Sequence, residues 1–191
     1  MTTVGLVLAA GAGRRFGGPK ALARTGGGEP WTARAARTLR AGGCDDVLVV
    51  LGAEEEAARA LLPRDVRVVL APRWRDGVGA SLSAGVAALP AADTAVVVPV
   101  DLPGLPAAVV ARVLDAVPDR GDLARAVYAG APGHPVALGA DHWRAFRDDL
   151  RGDEGGRRYL ELHGAAHVEC GDLFDGADVD HRAQPPTRFG D

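Results

Sequence analysis

Four short runs of the chain, VGLVL (4–8), VLVVL (47–51), VRVVL (66–70) and TAVVV (94–98), are apolar almost without interruption and rich in β-branched residues. A strand with one solvated face alternates apolar and polar side chains; a continuous apolar run marks a strand covered on both faces, as in a parallel sheet. Between and after these runs lie Ala-, Leu- and Arg-rich segments of helical period, near 31–42, 54–62, 80–89 and 105–117. Strand and helix therefore alternate, which predicts an α/β fold: a three-layer, Rossmann-like, mostly parallel sheet with helices on both faces. Beyond residue 120 the alternation weakens. Two strands (123–129 and 134–138), two helices (140–150 and 155–163) and a short strand near 166–169 are expected there. The closing DVDHRAQPPTRFGD is polar and proline-rich, so its last positions are expected to fray. There is no internal repeat.

A chain of 191 residues fits one domain, and residues 1–191 are read as such. Its 26 glycines and 13 prolines, about a fifth of the chain, fall below the share that marks low complexity. The net charge of −3, with arginines scattered among acids, offers no basic field for nucleic acid, so no nucleic-acid partner is expected. Cys44 and Cys170 belong to no C-x-x-C pair and read as reduced, buried thiols of a cytoplasmic protein. The N-terminal apolar run is too short for a secretory signal, and no run approaches membrane-spanning length. No membrane association is expected.

The first strand runs straight into AAGAGRRFGGPK (9–20), which ends on Lys20, the only lysine in the chain. Such a turn presents backbone N–H groups at the carboxyl edge of the sheet, where open α/β folds bind ligands, and glycines let that backbone approach a phosphate closely. The spacing G-x-G-x-x-x-G departs from the dinucleotide fingerprint, and no acid closes a strand about 20 residues on. The phosphate-loop pattern fails too, because Pro19 precedes Lys20 and Ala21 replaces the hydroxyl that would hold magnesium. What remains is a glycine-rich turn flanked by cations and suited to a triphosphate. A compact ammonium fits a crowded phosphate cluster better than a planar guanidinium does, which accounts for a lone lysine in an arginine-rich chain.

LAAGAGRRFGGPKAL resembles the L-A-A-G-x-x-x-R-x-G-x-x-K opening of the MobA-like NTP transferases. The resemblance continues through DGVGASLSAGV (76–86), VPVDLPGL (98–105), GHPVAL (133–138), GDEGGRRYL (152–160) and DVD (178–180). Its middle and late motifs are most similar to the molybdenum cofactor cytidylyltransferase branch. The resemblance implies a sheet of the nucleotide-diphospho-sugar transferase type, with NTP held by residues 1–118 and the acceptor by 119–191. It implies nucleotide contacts from Leu8, Ala9, Ala10 and Gly11, with Gly13, Arg15 and Lys20 on the phosphates. Gly79 and Ser81 would shape the base and ribose pocket, Ser81 at a helix start. Mg²⁺ would be held by Asp101 and Asp180, with Asp178 in support, although DVDHRAQ departs from the family's D-I-D-T-P-E-D. Lys20, Arg15 and Asp101 would carry catalysis, while His134, Arg157 and Arg158 are candidates for the acceptor.

Nucleotidyl transfer asks for positioning and charge stabilisation around the α-phosphorus, not for a protein nucleophile. The implied substrates are an NTP (CTP or GTP) and a small phosphorylated acceptor, the molybdopterin cofactor, with a molybdoenzyme or its chaperone as protein partner. A phospholactate-like or sugar phosphate acceptor, and a non-catalytic NTP-binding or cofactor-carrier module, are the alternatives. His163 and His167 have the spacing of a helical zinc pair, but the glutamate of H-E-x-x-H is missing and Gly164 ends the helix. Trp31, Trp74 and Trp143 are too dispersed for a base-stacking platform and read as core packing.

Overall fold

A computed structural model describes residues 1–180. Seven strands form one sheet: β1 (Thr3–Ala9), β2 (Asp46–Leu51), β3 (Arg67–Leu70), β4 (Thr94–Pro99), β5 (Leu123–Tyr128), β6 (Ala131–Gly139) and β7 (Ala166–Glu169). Their spatial order is β3-β2-β1-β4-β6-β5-β7. Neighbours pair in parallel except where β6 runs against both β4 and β5.

Side chains alternate strictly across this sheet, so each apolar run feeds two cores. Val47, Val49 and Leu51 point into one core with Val7, Val96 and Val98, and Leu48 and Val50 into the other with Leu6 and Val97. The first core is covered by α1 (Trp31–Ala41), α2 (Glu55–Arg59) and α4 (Ala107–Asp115) through Leu39, Ala58 and Val110. The second is covered by α3 (Val78–Ala87), α5 (Trp143–Asp149) and α6 (Arg157–Leu162) through Leu82, Phe146 and Leu160. Double coverage explains the unbroken apolar runs of β1, β2 and β4; the run that forms β3 departs from that expectation, because β3 is the edge strand, with Arg67 and Leu70 exposed and Val68 and Val69 half-buried. Helix α2 is shorter than its periodic segment, and the helix expected from 140 opens as a 3₁₀ turn over Ala140–His142 before α5 begins.

The chain leaves β1, builds β2 and β3 on one side, then returns to place β4 on the other. The carboxyl ends of β1 and β4 thus lie side by side, with Leu8 in register with Pro99. At such a switch point the two following loops diverge to opposite faces and leave a crevice.

Candidate active site

The loop after β1 closes on itself. The Gly18 N–H donates to the Gly13 carbonyl at 3.1 Å, and Gly13 sits at φ +56°, where an added Cβ would lie 2.0 Å from the Gly18 carbonyl oxygen. Only glycine fits that position. Buried Phe16 packs on Trp31 of α1 at a ring separation of 5.3 Å, pinning the loop's middle while Arg14 and Arg15 stay exposed. A 3₁₀ turn, Lys20–Leu22, then sets the lysine at the crevice.

Lys20 Nζ donates to Asp101 Oδ2 at 2.9 Å and to Asp180 Oδ1 at 3.0 Å. Burial works against its charge, but the hydrogen bonds to both acids and their field prevail and hold its pKa above the ordinary lysine value. Asp101 follows Pro99 and Val100 at the end of β4. The distant 178–180 segment is tied there by the Val179 N–H, which donates to the Asp101 carbonyl at 2.9 Å. Arg15 approaches Asp180 at 3.6 Å. One carboxylate oxygen each from Asp101, Asp178 and Asp180 lies within 4.8 Å of the others. Asp101 Oδ1 is buried with no hydrogen-bond partner among the described residues. Three hard oxygen donors, one of them an orphaned acceptor, match the requirements of Mg²⁺ or Mn²⁺.

These groups face a cleft of about 660 Å³, within the size range of small-ligand sites. Leu8, Ala9, Ala10 and Gly11 line it, as do Gly13, Arg15, Lys20 and Ser81. Asp101, Asp178, Asp180 and His134 complete the sequence-derived site residues found there. Ser81 is buried in the first turn of α3 and does not cap it; Gly77, at φ +113°, holds the cap position. Asp153 reaches back to accept the Val78 N–H at 3.3 Å.

Three expected residues lie off this cleft. Gly79 spends its N–H on the Gly152 carbonyl at 2.8 Å, and a Cβ there would meet that oxygen at 2.9 Å, so it is a packing contact between α3 and the 151–155 loop. Arg157 pairs with Glu161 one helical turn on, at 2.8 Å, and lines a smaller adjoining cavity. Arg158 pairs with Asp149 and lines neither hollow. Nor do the two histidines form a pair: His163 stacks on Tyr159 past the end of α6, and His167 is in β7. Cys44 and Cys170 are buried and unbridged; burial pushes the Cys44 thiol up to about 12.

The structure also brings in residues that sequence reasoning did not assign to the site. Trp74, read there as core packing, does pack partly on the second core, but, carrying the Arg75 guanidinium 4.4 Å from its ring centroid, it also forms the cleft wall with Arg14 and Asp153. In the adjoining cavity, Arg125 of β5 is only 7% exposed. An arginine inside the apolar run LARAVY (123–128) was the available signal, since a charge in a doubly covered strand is costly unless it serves a site.

A model of the MobA-like NTP transferase domain matches residues 5–169. The chain belongs to that family. Nicotine blue oxidoreductase from Paenarthrobacter nicotinovorans is 38% identical, over 92% of this chain and 91% of its own. Among solved structures, the Mycobacterium tuberculosis Rv0371c homologue from Mycobacterium sp. strain JC1 superposes with a TM-score of 0.80 at 26% identity, over 94% of this chain and 90% of that one. A manganese complex of Rv0371c from M. tuberculosis H37Rv gives 0.69 at 25% identity, over 89% and 88% of the two chains. This MobA-like chain thus shares its sheet architecture with the NTP transferases of that family.

Proposed function

We propose that this protein is a Mg²⁺-dependent nucleotidyltransferase that moves CMP from CTP to a small phosphorylated acceptor, the molybdopterin cofactor, and releases pyrophosphate. The observation that carries the reading is the convergence of Lys20, Asp101 and Asp180, from three distant segments, within 3.0 Å at the switch point of the sheet. Membership in an NTP transferase family gives that convergence its chemistry.

The closed loop from Ala10 to Lys20 would take the triphosphate, with backbone N–H groups and the ammonium against its oxygens and Arg15 at its outer end. Ser81 would face the ribose and base. A Mg²⁺ ion bound by Asp101 and Asp180, with Asp178 beside them, would supply positive charge against the phosphate oxygens and the departing pyrophosphate. That a mycobacterial relative has been solved as a manganese complex supports the use of a divalent ion. Residues 1–118 would hold the nucleotide, and the second half would admit the acceptor past His134 and Arg157; Arg158, turned toward Asp149, would have no part in it. Because burial, reinforced by the Arg125 charge, depresses the His134 pKa to about 4, His134 would meet the acceptor neutral. A cytoplasmic molybdoenzyme or its chaperone would receive the product.

Pyrophosphate release, followed with CTP, GTP and ATP in Mg²⁺ against a panel of phosphorylated acceptors, tests the reading. Release that requires CTP and molybdopterin supports it. Release with another acceptor would correct the substrate, and saturable NTP uptake with no release for any acceptor would make the chain a binding module.

One observation favours a second reading: the 38%-identical relative is named an oxidoreductase. On that reading the cleft would hold a redox cofactor's phosphates in place of a triphosphate. Oxidation of a reduced nicotinamide by an acceptor dye, without pyrophosphate release, would decide for it.

A further inference from the structure

The smaller cavity, about 210 Å³, adjoins the nucleotide cleft and shares Leu8, Val78 and His134 with it. Most of its wall is apolar, formed by Leu82, Val97, Val136, Phe146 and Leu160, with the charged Glu154 and Arg157 on the 154–157 side. From the sheet side a third charged side chain enters the lining, Arg125. Arg125 is 93% buried by the measure of its 7% exposure, and its Nε and Nη1 are buried without a hydrogen-bond partner among the described residues. Burial, then the nearby Arg157 charge, disfavour its protonation, and Glu161 only partly offsets them. A guanidinium nonetheless stays charged in proteins. A buried cation with idle donors is destabilising unless something fills the place of its counter-ion, and the Arg125 side chain that carries these donors lines a hollow next to the larger cleft.

We propose that Arg125 anchors a subsite for a small molecule with an apolar body and one terminal oxyanion, a carboxylate or a phosphate. The guanidinium fork would take two oxygens at once, while the aliphatic walls and the Phe146 ring would enclose the body. His134, uncharged and shared by both hollows, would stand between this ligand and the nucleotide. That the ligand is the acceptor of nucleotidyl transfer rests on the function proposed above; that the pocket selects an oxyanion does not.

The test uses the full chain without nucleotide and three probes of one shape, benzoate, phenyl phosphate and the neutral benzamide, titrated by calorimetry. Wild-type protein is expected to bind benzoate or phenyl phosphate at least tenfold more tightly than benzamide. Arg125→Met should lose that preference, with anion binding weakened at least tenfold, while its affinity for benzamide stays at the wild-type level and shows the pocket intact. Should the Met variant misfold, Arg125→Gln gives the same readout with a polar group in place. Lys20→Met should leave anion binding unchanged, which keeps the phosphate loop out of the result. Tighter phenyl phosphate than benzoate would identify the oxyanion as a phosphate; the reverse would identify a carboxylate.

Equal anion binding by wild type and Arg125 variants, or no anion binding by wild type at millimolar probe, overturns the proposal. Pyrophosphate release is scored separately. Anion selectivity through Arg125 without release for any NTP would keep the subsite and sink the transferase reading, whereas release that survives in a chain with no selectivity would do the opposite.

Discussion

In the larger hollow at the sheet's carboxyl edge Lys20 is held between Asp101 at 2.9 Å and Asp180 at 3.0 Å, while in the smaller one beside it Arg125 keeps two buried nitrogens without a partner. Both are cations in crevices of the same sheet. The paired one rests with its charge already balanced, so an arriving polyanion would have to compete with the carboxylates unless a divalent ion held them, as the proposed function supposes. The unpaired one has no carboxylate hydrogen-bonded to those two nitrogens among the described residues, although Glu161 acts on it at longer range; its interaction with an anion would repay a desolvation already incurred in folding. The first arrangement makes binding conditional on a second ligand, and the second makes binding direct.

The paired side breaks most completely at Asp101. Asp101→Asn removes one carboxylate charge from the cluster and leaves Lys20 with Asp180 alone. Turnover should fall by a factor on the order of 1,000, about 4 kcal/mol of transition-state stabilisation. Folding should survive, because Asp101 lies beyond the paired part of β4. Steady-state pyrophosphate release and a thermal melt measure the two; activity within a few-fold of wild type would remove Asp101 from the site.

Lys20→Arg is subtler. The Lys20 side chain is 14% exposed and lies between two carboxylates, a space that suits three donors on one nitrogen and crowds a planar fork. Activity should drop well beyond tenfold, more than about 1.4 kcal/mol. Equal activity would mean that charge matters at this position and shape does not.

How much of this was legible beforehand depends on which force fixed each element. The doubly covered strands and the glycine loop follow from local pattern, and the loop's cramped Gly13 is where a sequence motif and a steric need coincide. The 178–180 segment was assigned by resemblance. The structure ties it to β4 through one backbone hydrogen bond, from Val179 to Asp101, and no periodicity encodes such a bond. The altered remainder of DVDHRAQ, from His181 on, lies outside the described residues. Gly79 looked like part of a ligand-binding motif, yet its lack of a side chain serves the 151–155 loop. Arg157 finds its partner in Glu161, as helical spacing favours, and Arg158 finds Asp149 at the end of α5, a tertiary pairing that no local spacing encodes. Arg125 went unremarked because its isolation exists only once β6, α5 and α6 close around it.

On the unpaired side, Arg125→Met should make the free protein more stable, since an unsatisfied buried polar group costs about 1–3 kcal/mol and a charged one more. The melting temperature should rise by several degrees in the absence of ligand, roughly 2–4 °C per kcal/mol for a chain of this size. The same substitution in the paired region, Lys20→Met, should bring no such gain, because it strands Asp101 and Asp180 against each other. A fall in stability for Arg125→Met would show that the guanidinium has a structural counter-ion and that the two regions do not differ as described.

His134 lines both hollows, and its titration links them. Burial, then the Arg125 charge, lower its pKa to about 4, against the pull of Asp101. The unfolded chain takes up this proton near pH 6.5 and the native chain only near 4, so ν for the unfolded state exceeds that of the native state in between, and stability is lost as pH falls through that window. Above pH 6.5 the residue contributes nothing. At pH 6 the loss is just under about 1 kcal/mol, and it steepens toward about 1.4 kcal/mol per pH unit below that. His134→Gln should therefore match wild type at pH 7.5 and lose less stability by pH 5.5 in chemical denaturation. In Arg125→Met, with one of the two depressing causes removed, the native pKa should move up and the window narrow from its acid end, giving a pH dependence between those of the other two proteins. Identical acid profiles for wild type and Arg125→Met would mean that the guanidinium does not act on His134, and that the two hollows, though they share a wall, do not share their electrostatics.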